Sequence, residues 1–490
     1  MFQRTHSFIN IPMLARVIGW LLLIETAFMS IPLATSIIDS CTDTMSFVIS
    51  MVITGVSGLL MTLIRPGSRE MGRREAIVLT ASVWVVFSLF GMLPFLLSGV
   101  FDSFTDAFFE TMSGFTTTGA TLLTSSETVS KSIIMWRCVM QWIGGMGIIL
   151  FTLAVLPMLN YQAGIQLFNA EVTGITHDKL RPRVSSSAKG LWLVYTLLTL
   201  LLIVLLSFSN MSFFEAICHG LSTMSTGGFS MPDMSLHLWD TDYVRIVICI
   251  FMFVGGINFA LLFKTFTGKF KGLLKNDALK WYLIVVALFY SIMALNILNQ
   301  GTYTSARDIF LDPLVQTISV ISSTGITDPQ ITHWSSLSVC LILVMMFIGA
   351  CAGSTAGGAK IDRIIVIVKF IKNEFYRMLH PNTVTTVRIN GNGTPTGVLH
   401  KSLAFMFLYL LVIVIGGLLL VATGLNAQEG FFYALAAISN TGLDSEILGL
   451  DFTYVMLSDA AKWILASIML IGRLELFTIL LIFTYTFWKK

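Results

Sequence analysis

Long apolar stretches alternate along this chain with shorter segments that are rich in serine, threonine and glycine. A helix of about 20 apolar residues crosses the hydrocarbon core of a bilayer. By that measure, membrane-spanning helices are predicted near residues 15–38, 46–64, 76–99, 133–158, 190–209, 244–266, 280–298, 336–352, 402–424 and 461–486. The first stretch continues without a convincing cleavage site, so it is predicted as a helix rather than a cleaved signal. The first two helices enclose no hydroxyl-rich segment and predict a hairpin.

The remaining eight predicted helices form four pairs, and each pair encloses a segment that ends on a glycine. An acidic residue precedes this glycine by thirteen positions in every pair, namely Asp106 and Gly119, Glu215 and Gly228, Asp312 and Gly325, and Glu429 and Gly442. Acidic residues occupy 27 of 490 positions, so each match has a chance of roughly one in eighteen. The coincidence predicts a fourfold repeat of helix, re-entrant pore segment and helix.

The repeat defines the predicted fold and domain boundaries. We expect an all-α polytopic membrane protein in which four tandem, parallel helix–pore loop–helix repeats lie in pseudo-fourfold arrangement. The predicted units are an N-terminal transmembrane hairpin at 1–70, followed by pore repeats at 71–185, 186–275, 276–400 and 401–490.

Composition agrees with a membrane protein and excludes other classes. The chain is 55% hydrophobic and 12% charged, far from the average of soluble proteins. Its formal charge of +3, without a basic run interleaved with aromatic residues, argues against nucleic-acid binding. The six cysteines are scattered without a metal-ligand spacing and are expected to be packing residues.

Charge placement predicts the orientation in the membrane. The linkers at 65–74, 179–189, 264–280 and 360–401 are rich in lysine and arginine, which places them in the cytoplasm by the positive-inside rule. Both termini are therefore expected to be cytoplasmic. The opposite side carries the acidic residues Asp233, Asp240, Asp242, Asp328, Asp444, Glu446, Asp451 and Asp459. An acidic outer mouth would concentrate cations.

The pore segments carry the candidate ion chemistry. A dehydrated cation needs oxygen ligands, and backbone carbonyls in a tight glycine loop provide them. The candidate ion filter comprises Thr116, Thr117, Thr118, Gly119, Ser225, Thr226, Gly227, Gly228, Ser323, Thr324, Gly325, Asn440, Thr441 and Gly442, with Ser322 adjoining. The common offset favours Gly228 over Gly227. Each acid thirteen positions earlier is expected at the start of a pore helix, as a cap rather than an ion ligand.

Five stretches resemble one family of ion transporters. They are FFETMSGFTTTGAT, QWIGGMGIILFTLAVLP at 141–157, LSTMSTGGFS, IGACAGSTAGGAK at 348–360 and LIGRLELFTILLIFTYTFW. In this order they are similar to the Trk/Ktr/HKT superfamily of potassium transporters, most closely the TrkH/TrkG branch. The resemblance implies a homodimer in a bacterial plasma (inner) membrane, one potassium-conducting pore per subunit and a cytoplasmic TrkA-type nucleotide-binding regulator. It implies no covalent cofactor, with K⁺ as the transported ion, bound at the candidate ion filter residues.

The stretch at 348–360 interrupts a predicted helix, and the resemblance implies that it is a flexible gate below the filter. The candidate gate residues in it are Gly353, Ser354, Thr355, Gly357, Gly358 and Lys360. Close helix packing through small residues is the alternative. For Lys360 itself we expect the role of an interfacial anchor. Arg473, an intramembrane cation, is expected to project toward the pore near this stretch as a barrier to cations.

Further interpretations concern other segments of the chain. The stretch Val387–Gly397 predicts a β-hairpin around an Asn-Gly turn, and 381–400 is a candidate docking surface for the regulator. An ion-coupled secondary transporter, moving K⁺ with H⁺ or Na⁺, remains open, although parallel repeats favour a central pore. A remote alternative is an intramembrane serine protease, suggested by Gly55–Gly58 with Ser57 as nucleophile and His219 as base. A packing role is favoured for both residues.

Overall fold

The computed structural model describes residues 9–66, 71–123, 129–145, 147, 184–229, 242–268, 271–300, 305–327, 334–450 and 452–489. These parts are helical apart from loops, turns and one two-stranded hairpin. Several predictions lie outside the described residues: the second half of the span at 133–158, residues 179–183 of the linker at 179–189, and the acids Asp233, Asp240, Asp328 and Asp451.

The predicted N-terminal hairpin consists of α1 (Ile11–Ile38) and α2 (Thr44–Leu63). The side chain of Asn10 caps α1 by accepting a hydrogen bond from the backbone N–H of Met13 at 3.2 Å. The two helices approach closely at Gly19 and Gly58, where a Cβ on Gly19 would lie 2.7 Å from the Gly58 carbonyl oxygen. This contact agrees with a packing role for the Gly55–Gly58 stretch.

The remaining elements follow in chain order. They are α3 (Arg73–Gly91), α4 (Leu93–Leu97), α5 (Phe104–Phe115), α6 (Lys131–Gly145), α7 (Val184–Leu206), α8 (Phe213–Met224), α9 (Asp242–Gly255), α10 (Phe259–Phe266), α11 (Lys271–Lys275), α12 (Asp277–Gln300), α13 (Ala306–Ile321), α14 (Ser336–Ile348), α15 (Ile361–Leu379), β1 (Arg388–Ile389), β2 (Asn392–Gly393), α16 (Thr396–Ala422), α17 (Ala427–Ile438), α18 (Asp459–Arg473), α19 (Phe477–Ile482) and α20 (Tyr485–Trp488). Two 3₁₀ turns, Ser445–Leu448 and Tyr454–Met456, lie between α17 and α18.

The molecule is a multi-pass membrane protein. Among the described residues, six helices are long and apolar enough to cross a bilayer, namely Ile11–Ile38, Thr44–Leu63, Arg74–Leu97, Lys189–Leu206, Asp277–Gln300 and Thr396–Ala422. The outer faces of several of these helices expose large apolar side chains, such as Leu59, Leu201 and Leu418, as expected for contact with lipid.

Three of the predicted spans are shorter or broken. The span at 244–266 is wrong as a single helix, because α9 and α10 meet at an angle of 103°. Asn258 causes this break: its side-chain oxygen accepts from Ala260 N–H at 2.8 Å and so starts a new helix. The span at 336–352 ends at Ile348, and the span at 461–486 ends at Arg473, beyond which the backbone at Leu476 has a φ of +35°.

The helices of the four predicted pore segments are α5, α8, α13 and α17. In α5, α8 and α17, the predicted acid is the third residue, and in α8 and α17 it completes a capping box. The prediction is wrong for Asp312. Helix α13 has 16 residues instead of 12 and begins at Ala306, so Asp312 lies in its interior and Asp308 occupies the first turn.

Ion pairs join neighbouring segments of the chain. Arg245 of α9 contacts Asp312 of α13 at 3.1 Å, and Lys462 of α18 contacts Asp106 of α5 at 2.5 Å. Two of the four predicted acids therefore form an ion pair with a lysine or arginine of another element. A third pair, Arg137 of α6 with Glu110 of α5 at 2.9 Å, is almost completely buried.

The predicted β-hairpin is confirmed as an antiparallel pair, β1 with β2, around Asn390 and Gly391. Both turn residues have positive φ, as an Asn-Gly hairpin turn requires. The hairpin is attached to the start of α12, because the backbone N–H of Asn390 donates a hydrogen bond to the Asp277 carboxylate at 3.1 Å. The side chain of Lys369, in α15, donates to the same carboxylate at 2.7 Å.

We predict that Glu110→Gln lowers the stability of the purified protein in detergent by about 3–5 kcal/mol, because it leaves the buried Arg137 guanidinium without its counter-charge. Thermal unfolding measures the change. The matched control is Lys131→Gln, which removes the exposed pair with Asp39 and should cost less than about 1 kcal/mol. Equal effects of the two substitutions would contradict a special role for the buried pair.

Candidate functional site

Each pore-segment helix ends in a turn with the same backbone geometry. The residue two positions before the candidate filter glycine has a positive φ in all four segments: 54° at Thr117, 53° at Thr226, 57° at Ser323 and 50° at Asn440. The glycines Gly119, Gly228, Gly325 and Gly442 have φ of 84°, 74°, 74° and 60°. Gly227 is not among the residues with positive φ, so Gly228 is the geometric equivalent of the other three.

The four glycines contact one another's segments in a closed cycle. A Cβ added at any of them would lie less than 3.0 Å from the carbonyl oxygen that precedes the glycine of another segment. The contacts run from Gly119 to Gly227, from Gly228 to Thr324, from Gly325 to Thr441 and from Gly442 to Thr118. The four turns therefore form a ring of backbone oxygens, and each glycine is required both by its φ and by this close approach.

Buried hydroxyl groups support three of the four turns. A hydroxyl–hydroxyl hydrogen bond links the residues one and three positions before the glycine, at 2.8 Å in the first segment, 2.7 Å in the third and 2.8 Å in the fourth. The pairs are Thr116 with Thr118, Ser322 with Thr324, and Ser439 with Thr441. In the second segment Ser225 instead donates to the Ser222 carbonyl at 2.9 Å.

Asn440 joins the fourth segment to the first. Its side-chain nitrogen donates to the Thr118 hydroxyl at 3.0 Å and to the Met469 carbonyl at 3.0 Å. One amide therefore connects the ring to α18 and closes the contact between the last and first segments.

Outside the ring, Asp444 follows the fourth turn. Its carboxylate accepts from the Tyr433 hydroxyl at 2.6 Å and from the Ser445 N–H at 2.8 Å. Partial burial raises the pKa of this carboxyl above its ordinary value. The described acid nearest to the ring in sequence is therefore hydrogen-bonded to the protein rather than directed at an ion.

The predicted interruption between α14 and α15 is confirmed, because the residues between Ile348 and Ile361 are not helical. This glycine-rich loop, residues 349–360, lies against the turns. Thr226 donates to the Thr355 hydroxyl at 3.1 Å, and the Gly357 N–H donates to Ser323 at 3.1 Å. A Cβ on Gly357 would overlap the Ser439 carbonyl. The loop thus contacts three of the four segments.

Arg473 lies where it was expected relative to the loop. Its guanidinium donates to the Thr355 carbonyl and to the Gly144 carbonyl, each at 2.7 Å. Glu475, two residues on, pairs with Arg363 instead. The Arg473 guanidinium is therefore bound to one backbone carbonyl of the loop and to one of α6.

The prediction that Lys360 is an interfacial anchor is wrong. Lys360 is only 6% exposed, and its ammonium group donates a hydrogen bond to the Ala356 carbonyl within the loop. This intraloop bond turns the side chain inward. The charged side chains of Lys360 and Arg473 therefore donate hydrogen bonds to the carbonyls of two adjacent loop residues, Ala356 and Thr355.

Gln141, the first residue of the motif at 141–157, contacts the ring, which was not predicted from the sequence. Gln141 of α6 donates to the Gly227 carbonyl at 2.5 Å and is fully buried. A polar amide inside an apolar helix is a signal that could have indicated this role, because such a group needs partners.

The comparisons with known proteins agree with this geometry. A family model described as "TrkH: Cation transport protein" matches residues 43–489. The chain belongs to the TrkH family. It is 34% identical over 484 residues to the Trk system potassium uptake protein TrkH of Escherichia coli K12, covering 97% of this chain and 99% of that protein. It is 29% identical to TrkG of the same organism, covering 86% and 87%.

A solved TrkH-family structure has the same fold. The crystal structure of the potassium transporter TrkH from Vibrio parahaemolyticus matches with a TM-score of 0.88 and 31% identity, covering 98% of this chain and 100% of that one. The resemblance stated from the sequence motifs is therefore confirmed. Because the TrkH family consists of cation transport proteins, the protease interpretation of Ser57 and His219 has no support beyond its four-residue match.

The close packing behind the turns leads to a prediction about the stability of the protein. We expect Gly144→Ala to destabilise the protein by about 1–3 kcal/mol, because the new Cβ would overlap the Phe115 carbonyl at the end of α5. The matched control is Gly397→Ala, where nothing lies within 4 Å and helix propensity favours alanine. Thermal unfolding in detergent should separate the two variants, and an unchanged transition for Gly144→Ala would contradict the packing.

Proposed function

We propose that this protein takes up potassium across a bacterial plasma membrane through a gated, channel-like pore. Four tandem helix–pore loop–helix repeats surround the pore in pseudo-fourfold arrangement, and their turns form its selectivity filter. The observation that carries the proposal is the closed cycle of contacts among Gly119, Gly228, Gly325 and Gly442. The names of the relatives as Trk system potassium uptake proteins support the choice of ion.

The chemistry of the ring suits a large monovalent cation. Backbone carbonyls and hydroxyls can replace a hydration shell without full charge. The acids of the pore segments are used elsewhere: Asp106 and Asp312 pair with Lys462 and Arg245, outside the turns. A single short ring, without the Thr-Val-Gly-Tyr-Gly stretch of ordinary potassium channels, fits modest rather than strong discrimination against sodium.

We propose that the glycine-rich loop is the gate, comprising Gly353, Ser354, Thr355, Gly357, Gly358 and Lys360 together with Arg473. The contacts of the loop with three filter segments support this assignment. Arg473 adds a positive charge and one hydrogen bond to the loop, at the Thr355 carbonyl, while its second bond, to the Gly144 carbonyl, holds the guanidinium against α6. Opening requires the bond to Thr355 to break, and a flexible glycine backbone permits the loop to move away.

Regulation and assembly complete the proposal. A constitutively open cation pore would collapse the membrane potential, so the gate needs a controller, and the family resemblance points to a cytoplasmic TrkA-type regulator and a homodimer in membrane lipid. The hairpin at 381–400, attached to α12 through Asp277, is the proposed docking surface. The basic linkers support cytoplasmic termini.

One observation favours the alternative of proton-coupled transport. Glu25 of α1 is fully buried, and within the described residues neither of its carboxylate oxygens has a hydrogen-bond partner. It lies beside Gly91 and the ring of Phe115, the last residue of α5. Intramembrane carboxylates of this kind occur in proton pathways.

The test is uptake of rubidium-86 into potassium-loaded liposomes that contain only this purified chain. The proposal expects uptake that external potassium blocks and sodium blocks weakly, with no dependence on an imposed pH gradient. Uptake that requires the pH gradient and is lost in Glu25→Gln would support the coupled transporter. No uptake, even after deletion of the glycine-rich loop, would rule out conduction.

We predict that Gly119→Ser weakens the preference for potassium over sodium, because a side chain at φ +84° strains the turn by about 1–2 kcal/mol and displaces the Gly227 carbonyl. Sodium competition against rubidium uptake measures the preference. Gly99→Ser is the matched control, since Gly99 has a φ of +73° but nothing within 4 Å. Loss of preference in both variants would mean that global strain is the cause.

We predict that Arg473→Ala, and separately shortening of the loop between Gly353 and Gly358, raise basal rubidium uptake. Each change weakens the contact between loop and filter. Arg377→Ala is the control, because that arginine is exposed and its described partners, Glu374 and Thr385, belong neither to the loop nor to the filter turns. Unchanged basal uptake in the shortened variant would remove the assignment of the loop as gate.

A further inference from the structure

The second filter segment differs from the other three at one position. The residue before the filter glycine is threonine in three segments, at Thr118, Thr324 and Thr441, but it is Gly227 in the second. In those three segments the threonine hydroxyl makes the hydrogen bond that stabilises the turn. Gly227 has no side chain and cannot make that bond.

The space of the missing side chain is filled from another part of the chain. A Cβ added at Gly227 would lie 2.6 Å from Oε1 and 2.7 Å from Nε2 of Gln141, which is therefore where a threonine would be. Gln141 belongs to α6, the second helix of the first repeat, and is fully buried.

The hydrogen bonds of Gln141 fix its amide in one orientation. Its Oε1 accepts from the Phe229 N–H at 3.1 Å and from the Ser222 hydroxyl at 2.8 Å. Because the Phe229 N–H can only donate, the oxygen must face it, and Nε2 must face the Gly227 carbonyl. The amide thus contacts the second turn on both sides of Gly228.

We propose that Gln141 is a positioning residue for ion selectivity, supplying to the second filter loop, from the first repeat, the support that threonine supplies within the other three loops. This inference rests on the proposed function of the ring as a filter. The Gly227 carbonyl already accepts one hydrogen bond, whereas in the described part of the chain the Thr118, Thr324 and Thr441 carbonyls have no such partner. The direction of the Gly227 carbonyl is therefore set by the Gln141 side chain. Loss of Gln141 frees this carbonyl to close around a smaller ion.

The experiment compares Gln141→Ala, Gly227→Thr, the double variant Q141A/G227T and Gly119→Ser in the rubidium assay with sodium competition. Q141A should reduce the preference for potassium over sodium by about three- to tenfold, the range expected for one lost buried hydrogen bond. G227T alone should also lose selectivity, because its side chain overlaps Gln141. The double variant should recover selectivity to within about twofold of the parent, since threonine then has the space and the Ser225 hydroxyl beside it.

Ser222→Ala is the graded control, because it removes one partner of Oε1 and leaves the bond to Gly227; a smaller loss in the same direction is expected. Selectivity that is unchanged in Q141A but reduced in G119S would overturn the inference and leave the filter standing. Unchanged selectivity in both would instead reject the filter itself. If Q141A does not fold, the double variant decides: a folded, selective protein supports the inference, and an unfolded or unselective one refutes it.

Discussion

At four positions in this protein, the backbone of one segment approaches the backbone of the next so closely that no Cβ fits between them. These contacts form a cycle, so the position of each turn depends on the turns on both sides. A closed cycle restricts the positions of the turns more than four separate packing contacts would. If one turn moves, its glycine and its carbonyl are both displaced relative to the turns on either side. The surrounding helices, caps and ion pairs keep the four turns in register.

Charge is distributed so that the ring itself carries none. Some acidic side chains of the pore-segment helices pair with a lysine or arginine of another element, as Glu110 does with Arg137. Others cap their own helices, as Glu215 and Glu429 do. On the loop side, Arg473 and Lys360 each donate a hydrogen bond to a backbone carbonyl of the loop. Under the proposed function, the ring oxygens would therefore act on an ion through dipoles rather than through full charges.

Particular residues show what the sequence could and could not reveal. An offset of thirteen residues locates all four glycines with positive φ and distinguishes Gly228 from Gly227, because the turn geometry is local and is repeated in every segment. The same offset fails for Asp312, since it contains no information on where α13 begins. Asn258, which follows Gly255, Gly256 and Ile257, is an N-cap signal. The hydropathy of the whole stretch nevertheless favoured the prediction of one continuous span. The inward direction of Lys360 depends on a carbonyl four residues earlier in an irregular loop, which no periodicity predicts.

The contact between the last and first segments has a consequence for biosynthesis. Asn440 bonds to Thr118 across 322 positions of the chain, and Lys462 bonds to Asp106 across 356. Because a ribosome delivers the chain from its N-terminus, the first three turns enter the membrane long before their fourth neighbour exists. The ring cannot close until translation is nearly complete, so a truncated or stalled product lacks the fourth turn and the contacts that join it to the first. Covalent linkage along one chain also fixes the composition of the ring, because each of the four different turns is present once.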